Sequence, residues 1–213
     1  MMKLYNYFRS GTSYRARIVL NLKGLKYEYV PVSLIKGEQR GAEFAAINPM
    51  MGVPVLEVGG TRIAQSPAII EYLEETHPAP PLLPKDPAQR AQVRALAAIV
   101  GCDMHPLNNL RVTNYLHDEF GQHTDGIEKW AQHWLKAGFD AFEANLRADT
   151  MRKGFCFGSA PTIADAYLIP QVFTAQRFKL DLMPYPEIMK VVETCNAMPA
   201  FAEAHPSKQP DAR

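Results

Sequence analysis

Hydrophobic and polar positions change period along the chain, and the changes mark out two regions. Lys3 to Tyr7 reads as a strand, and Ser13 to Leu22 as a helix carrying Ile18, Leu20 and Leu22 and ending at Gly24. Tyr27 to Val32 alternates as a second strand, and Glu43 to Ile47 is a helical fragment stopped before Asn48-Pro49. Val53 to Val58 and Thr61 to Ala64 flank Gly59-Gly60, a hairpin signal. Ser66 then opens a helix with Pro67 in its first turn and Ile69, Ile70 and Leu73 at helical spacing. The predicted order is β-α-β-α-β-β-α, a compact α/β unit over residues 1–81.

The stretch from Thr76 to Pro87 is the richest in proline, which bars a helix interior and predicts an interdomain linker. Beyond it the pattern is helical throughout, giving a second, all-helical domain over residues 88–213. Its predicted helices run over Ala88 to Leu116, Ile127 to Leu146, Thr162 to Phe178 and Tyr185 to Ala197. Thr162 and Asp165 stand at capping-box spacing. Trp130 and Trp134, at i and i+4, read as packing.

Composition narrows the possibilities. With 213 residues, 47% hydrophobic and 21% charged, the chain has the make-up of an ordinary globular protein large enough for real cores. A net charge of +1 gives no support to a nucleic-acid surface. No apolar run approaches the roughly 20 residues that span a bilayer, and the first residues are too polar for a signal peptide; a cytoplasmic location and no membrane partner are expected. Cys102, Cys156 and Cys195 are widely separated and form no C-x-x-C pair, so neither a zinc site nor a redox dithiol is expected, and none has an adjacent base.

The candidate chemistry lies where strands break. Ser10, Gly11 and Thr12 place hydroxyls and backbone N–H groups at a helix start, an arrangement that favours an anion such as a thiolate. The same hydroxyls serve equally as helix caps. Val53-Pro54 opens a strand at a proline: a cis bond there would offer backbone edges to an extended peptide, and a trans bond would be a plain strand start. Gln65-Ser66 precedes a helix and suits a carboxylate, or an N-cap, or both.

These segments carry a family resemblance. Phe8-Arg9-Ser10-x-x-Ser13-x-Arg15-x-Arg17-Ile18, Asn48-Pro49-Met50-x-x-Val53-Pro54 and the run from Gln65-Ser66 to Glu75 resemble the zeta class of glutathione transferases, which includes maleylacetoacetate and maleylpyruvate isomerases. The similarity continues through Pro106-Leu107-x-Asn109-Leu110, Arg177-Phe178-Lys179-x-Asp181-Leu182 and the tail His205-Pro206-x-x-Gln209-Pro210-Asp211. It implies a thioredoxin-like N-terminal domain, an all-helical C-terminal domain, a homodimer, and glutathione as cofactor.

By the same resemblance Ser10, Gly11 and Thr12 contact the thiol, with Thr12 replacing the cysteine common in the family. Val53 and Pro54 clamp the cysteinyl part of glutathione, and Gln65 and Ser66 take its γ-glutamyl carboxylate. Gln39, His105 and Asn109 match further glutathione contacts; a solvated loop glutamine and a structural histidine are the competing readings of the first two. Arg9, Arg111 and Arg177 are the expected readers of a small dicarboxylate substrate, since guanidinium groups pair with carboxylates bidentately. Arg111 replaces a small polar residue and is matched to the shorter pyruvyl end. The expected activity is glutathione-dependent cis–trans isomerisation, of maleylpyruvate to fumarylpyruvate first and of maleylacetoacetate second. A glutathione-conjugating transferase and a non-enzymatic scaffold are the other classes.

Overall fold

The computed structural model describes residues 1–212. It divides into two compact units, Met1–Leu82 with Asn196–Arg213, and Leu83–Cys195.

The first unit is built on four strands, β1 (Met2–Asn6), β2 (Tyr27–Pro31), β3 (Val55–Val58) and β4 (Thr61–Ala64), in the order β2-β1-β3-β4. β1 and β2 are parallel and joined by helix α1 (Gly11–Leu22), whereas β3 runs antiparallel to both β1 and β4. The β3–β4 turn is the expected hairpin, with Gly59 and Gly60 both at positive φ as a type I′ turn requires. A short helix α2 (Ala42–Ala45) precedes β3, and α3 (Ser66–Thr76) follows β4. Leu4, Leu56, Ile18, Leu20, Ile69 and Leu73 are fully buried and form the core of this thioredoxin-like unit.

The boundary between the units falls inside the expected linker; the linker's bonding and the place of the tail are what the expected division did not contain. The proline-rich stretch is tied down at its start: the buried Lys23 ammonium donates to the His77 (2.7 Å) and Pro80 (2.9 Å) carbonyls and pairs with Glu74 (2.6 Å). Glu74 in turn accepts the Leu82 N–H at 3.0 Å, so this segment is a bonded strap and not a free spacer. The tail, expected within a helical domain running to 213, belongs to the first unit. There helix α9 (Pro199–Ala204) offers its carbonyls to α1, Ala204 to Arg17 Nε (3.1 Å) and Ala200 to Asn21 Nδ2 (3.0 Å).

The second unit is helical. The single helix expected over 88–116 is broken into α4 (Pro87–Ala98), a wider-wound segment Ile99–Met104, a 3-10 turn His105–Asn108, and α5 (Leu110–Phe120). Pro106 supplies no N–H to the turn before it, and Asn109 starts a new helix by capping it. Helices α6 (Thr124–Ala148), α7 (Ile163–Arg177) and α8 (Pro186–Asn196) complete the unit, around Leu135, Phe139, Phe142, Leu168 and Ile188.

The capping box forms as the spacing predicted. The buried Asp165 carboxylate accepts the Thr162 N–H (2.7 Å), the Thr162 hydroxyl (2.8 Å) and the Cys156 N–H (2.8 Å). Burial and the neighbouring Asp165 push the Cys156 and Cys195 thiols well up, which keeps both unreactive. Trp130 and Trp134 meet edge to face at 5.8 Å between ring centroids. No helix among the described residues is long and apolar enough to cross a membrane.

Candidate active site

The break between β1 and α1 carries a chain of hydroxyls. Ser10 is the N-cap of α1, its Oγ accepting the Ser13 N–H at 3.3 Å. Ser10 Oγ also lies 2.9 Å from Thr12 Oγ1, which donates to the Val53 carbonyl at 2.9 Å. A hydroxyl has one hydrogen. Thr12 commits its hydrogen to Val53, so the hydrogen between Ser10 and Thr12 comes from Ser10. Ser10 Oγ–H is thus the one hydrogen of the pair not held by the backbone: it rests on Thr12 Oγ1 and can be redirected only by giving up that bond.

Val53-Pro54 is cis, and the Val53 carbonyl is the acceptor that fixes Thr12. Gln65, and not Ser66, caps α3, so the expectation that the Ser66 hydroxyl serves as an N-cap is corrected. Gln65 holds φ at +72° and makes no side-chain cap bond. A non-glycine residue at that φ is uncommon, and such residues gather at ligand sites. Ser66, as the first helical residue, is 2% exposed and its Oγ has no hydrogen-bond partner. Gln39, in a 3-10 turn (Glu38–Arg40), is buried with its Oε1 unpartnered. The structure thus gives Gln39 no solvated-loop character. Ser66 Oγ, on a helix start, and Gln39 Oε1 are thus two buried polar atoms without partners, and each can take a hydrogen bond from a ligand.

Arg9 is partly exposed, its guanidinium carbon 5.9 Å from the centroid of the Phe8 ring. The loop that carries it is held by Arg17, fully buried and pointing back from α1. Arg17 donates to Asn6 Oδ1 (3.0 Å), the Tyr7 carbonyl (3.4 Å), the Phe8 carbonyl (2.9 Å) and Ala204. Burial lowers the Arg17 pKa from its ordinary value, while the surrounding tyrosines and Asp211 hold it up. The Phe8 N–H donates to Asp211 Oδ2 at 3.1 Å.

The sequence reading attached no role to Arg17 or Asp211. Two arginines, Arg15 and Arg17, amid Tyr14, Ala16, Ile18 and Val19 on one short helix were the available signal. Charged residues are rarely fully buried without partners to receive them.

In the second unit, Asn109 Oδ1 accepts the Arg111 N–H (3.1 Å) as the cap of α5, and Asn109 Nδ2 lies 3.4 Å from His105 Nε2. The two residues expected to contact glutathione there are thus neighbours, and half of the Asn109 amide is engaged in capping. Arg111 stands exposed in the first turn of α5 and Arg177 exposed at the last residue of α7. A cation at a helix C-terminus is favoured by the helix dipole, whereas one in the first turn is disfavoured, each by about 0.3–1 kcal/mol. Arg177 has a local structural reason for its place, and Arg111 has none.

Two cavities frame the alternatives. One of about 460 Å³ in the first unit is lined by Tyr7, Phe8, Pro31, Ile35 and Asp211 among others. Another of about 390 Å³ in the second unit is ringed by charges, but its cations are engaged: Arg147 by Glu143, and Arg152 and Lys190 by Glu187. No group of three or more histidine, cysteine or carboxylate side chains suited to a metal occurs among the described residues.

Residues 1–75 match the family model of the glutathione S-transferase N-terminal domain and residues 129–199 that of the C-terminal domain. The chain is 53% identical to a maleylpyruvate isomerase of Ralstonia sp. over 99% of each chain. Its fold superposes with a TM-score of 0.98 on the holo structure of a bacterial zeta-class maleylpyruvate isomerase, 53% identical, covering 99% of this chain and 100% of that one. A maleylacetoacetate isomerase of Methylobacterium extorquens AM1, solved with bound malonate and glutathione, matches with a TM-score of 0.96 at 38% identity over 99% of each chain. Matched at both domains and over nearly its whole length, the chain belongs to the glutathione S-transferase family, in its zeta class.

Proposed function

We propose that this protein is a glutathione-dependent cis–trans isomerase that converts maleylpyruvate to fumarylpyruvate. The observation that carries the reading is the Ser10–Thr12–Val53 hydroxyl chain at the start of α1, in which the Ser10 hydrogen rests on another hydroxyl and not on the backbone, so that an anion at the helix start can take it over. Hydroxyl and backbone donors at a helix start favour a thiolate over a thiol, drawing the pKa down from about 8.5. The unpartnered Ser66 hydroxyl at the start of α3 suits the γ-glutamyl carboxylate, with Gln65 beside it. The unpartnered Gln39 oxygen suits a ligand N–H. Val53 and Pro54 serve the cysteinyl backbone, and His105 and Asn109 the remaining carboxylate.

Bound glutathione supplies a nucleophilic sulfur that adds reversibly to the conjugated cis double bond, so that the bond can rotate before the thiol is released. The protein's part is to hold both partners and stabilise charge. Ser10 holds the sulfur in its reactive form, and Thr12 fixes Ser10. Arg9, Arg111 and Arg177 match the carboxylates and the negative charge that develops on the ketone oxygen. That binding is differential if the cations fit the twisted species better than the planar substrate. A conjugating transferase would need an apolar electrophile site, which three arginines do not offer. The reading includes a homodimer and a cytoplasmic location.

Arg111 is the residue that sets substrate length in this reading, because its position in the first turn of α5 has no local benefit. Arg111→Ser is expected to lower kcat/KM for maleylpyruvate about 5- to 10-fold more than for maleylacetoacetate, the low end of a charge-assisted contact because the side chain is exposed. Measuring both substrates and the glutathione KM in wild type and variant decides it. Equal losses with a raised glutathione KM would make Arg111 a cofactor residue. A wild-type preference for maleylacetoacetate would move the assignment to that isomerase.

A further inference from the structure

Phe8 lies two residues before Ser10, and both of its backbone polar groups are held by side chains, one from α1 and one from the far end of the chain. Its carbonyl accepts Arg17 Nη2 at 2.9 Å, and its N–H donates to Asp211 Oδ2 at 3.1 Å. The other Asp211 oxygen accepts the Tyr29 hydroxyl, so the carboxylate bridges β2 and the loop. The loop closes on itself through the Ser10 N–H, which donates to the Tyr7 carbonyl at 3.1 Å. Tyr7 and Phe8 are thereby fixed to the buried Arg17 on one side and to the C-terminal tail on the other. The only residue between them and the Ser10 hydroxyl is Arg9. A shift of about 1 Å in a positioned group is enough to weaken its action greatly.

We propose that Asp211 is a positioning residue for the thiol loop: by holding the Phe8 N–H, the C-terminal tail aims the Ser10 hydroxyl at the sulfur of bound glutathione. The inference rests on the reading of Ser10 as the sulfur's donor. It assigns the tail a part in the chemistry that needs no contact with substrate. Arg17 still holds the Tyr7 and Phe8 carbonyls from inside the core, so removing Asp211 frees only the Phe8 N–H. The fold should survive this change, because Asp211 is partly exposed and water can take the Phe8 N–H.

The test reads the thiol directly. Ultraviolet thiolate absorbance of glutathione bound to wild type, Asp211→Ala, Ser10→Ala and the double variant is titrated against pH, with glutathione Kd from calorimetry and melting temperature alongside. Asp211→Ala is expected to raise the bound thiol pKa by roughly half a unit to one unit. It should lower kcat near neutral pH about 3- to 10-fold and leave the glutathione Kd within about 3-fold, since the tripeptide is held elsewhere. In the Ser10→Ala background the further effect of Asp211→Ala on the thiol pKa should vanish, as it must if Asp211 acts through Ser10.

A wild-type thiol pKa in Asp211→Ala, with a raised value in Ser10→Ala, overturns the positioning role. So does a lowered melting temperature with thiol pKa and kcat unchanged. If Ser10→Ala itself leaves the thiol pKa alone, it is the Ser10 reading that falls, and the inference with it. Should Asp211→Ala fail to fold, Asp211→Leu carries the same measurement. Its side chain is of similar size and offers the Phe8 N–H no acceptor, so an unshifted thiol pKa there overturns the inference equally.

Discussion

Arg17→Ala is expected to destabilise the first unit by about 3–5 kcal/mol, the scale for removing a buried charge from its partners. The guanidinium is fully buried and serves acceptors from three places: Asn6 at the end of β1, Tyr7 and Phe8 in the loop, and Ala204 in α9. Deleting it leaves those oxygens without their donor, and all but the Phe8 carbonyl are buried from water. Each unsatisfied buried acceptor costs about 1–3 kcal/mol, tempered by relaxation. Arg17→Lys should lie between, because a point ammonium cannot span Asn6, Phe8 and Ala204 as a planar fork does. Urea unfolding at one protein concentration, with and without glutathione, measures the loss. Stability within about 1 kcal/mol of wild type would mean that these bonds are replaceable.

Ser10→Ala is expected to lower turnover roughly 10- to 100-fold, the equivalent of about 1.5–3 kcal/mol for one charge-assisted hydrogen bond. Glutathione affinity should change much less, since the residues proposed to hold other parts of the tripeptide, Gln39, Gln65 and Ser66, are untouched. Without the hydroxyl the bound thiol pKa moves up toward about 8.5. The acid limb of the kcat/KM profile should therefore move to higher pH. Thr12→Val should cost less, because Thr12 gives its hydrogen to the Val53 carbonyl and acts by fixing Ser10. Steady-state kinetics across pH for both variants separates these roles. A silent Ser10→Ala beside a damaged Thr12→Val would move the donor to Thr12.

Much of the fold was legible because its signals are local. Gly59-Gly60 between two alternating runs gave the hairpin, and Thr162/Asp165 gave the start of α7. The break at His105–Asn109 was missed because the apolar pattern of 88–116 continues through it; only Pro106 and the capping Asn109 mark the interruption. The tail was assigned to the wrong unit for a different reason. The expected helices end at Ala197, short of α9, and no spacing shows that the carbonyls of 200 and 204 answer Asn21 and Arg17 almost the length of the chain away.

The same limit applies to the site. Ser10, Thr12 and Val53 were read as candidates, but the order of hydrogens that singles out Ser10 depends on distances no spacing reveals. Ser66 lost its capping role only when Gln65 was seen to hold the cap position. Asp211 stood inside a quoted motif without a role, because its partners Phe8 and Tyr29 are brought to it by the sheet and the tail together.

The central claim is that glutathione is reused, its sulfur adding to the double bond and leaving again. The direct test is to mix the protein with maleylpyruvate in large excess over glutathione, and to follow fumarylpyruvate and free thiol together. The account predicts many molecules of fumarylpyruvate per molecule of glutathione, with the free thiol undiminished at the end and no isomerisation when glutathione is left out. Product limited to the glutathione added, with the thiol lost as a thioether, would contradict it and make the protein a conjugating transferase.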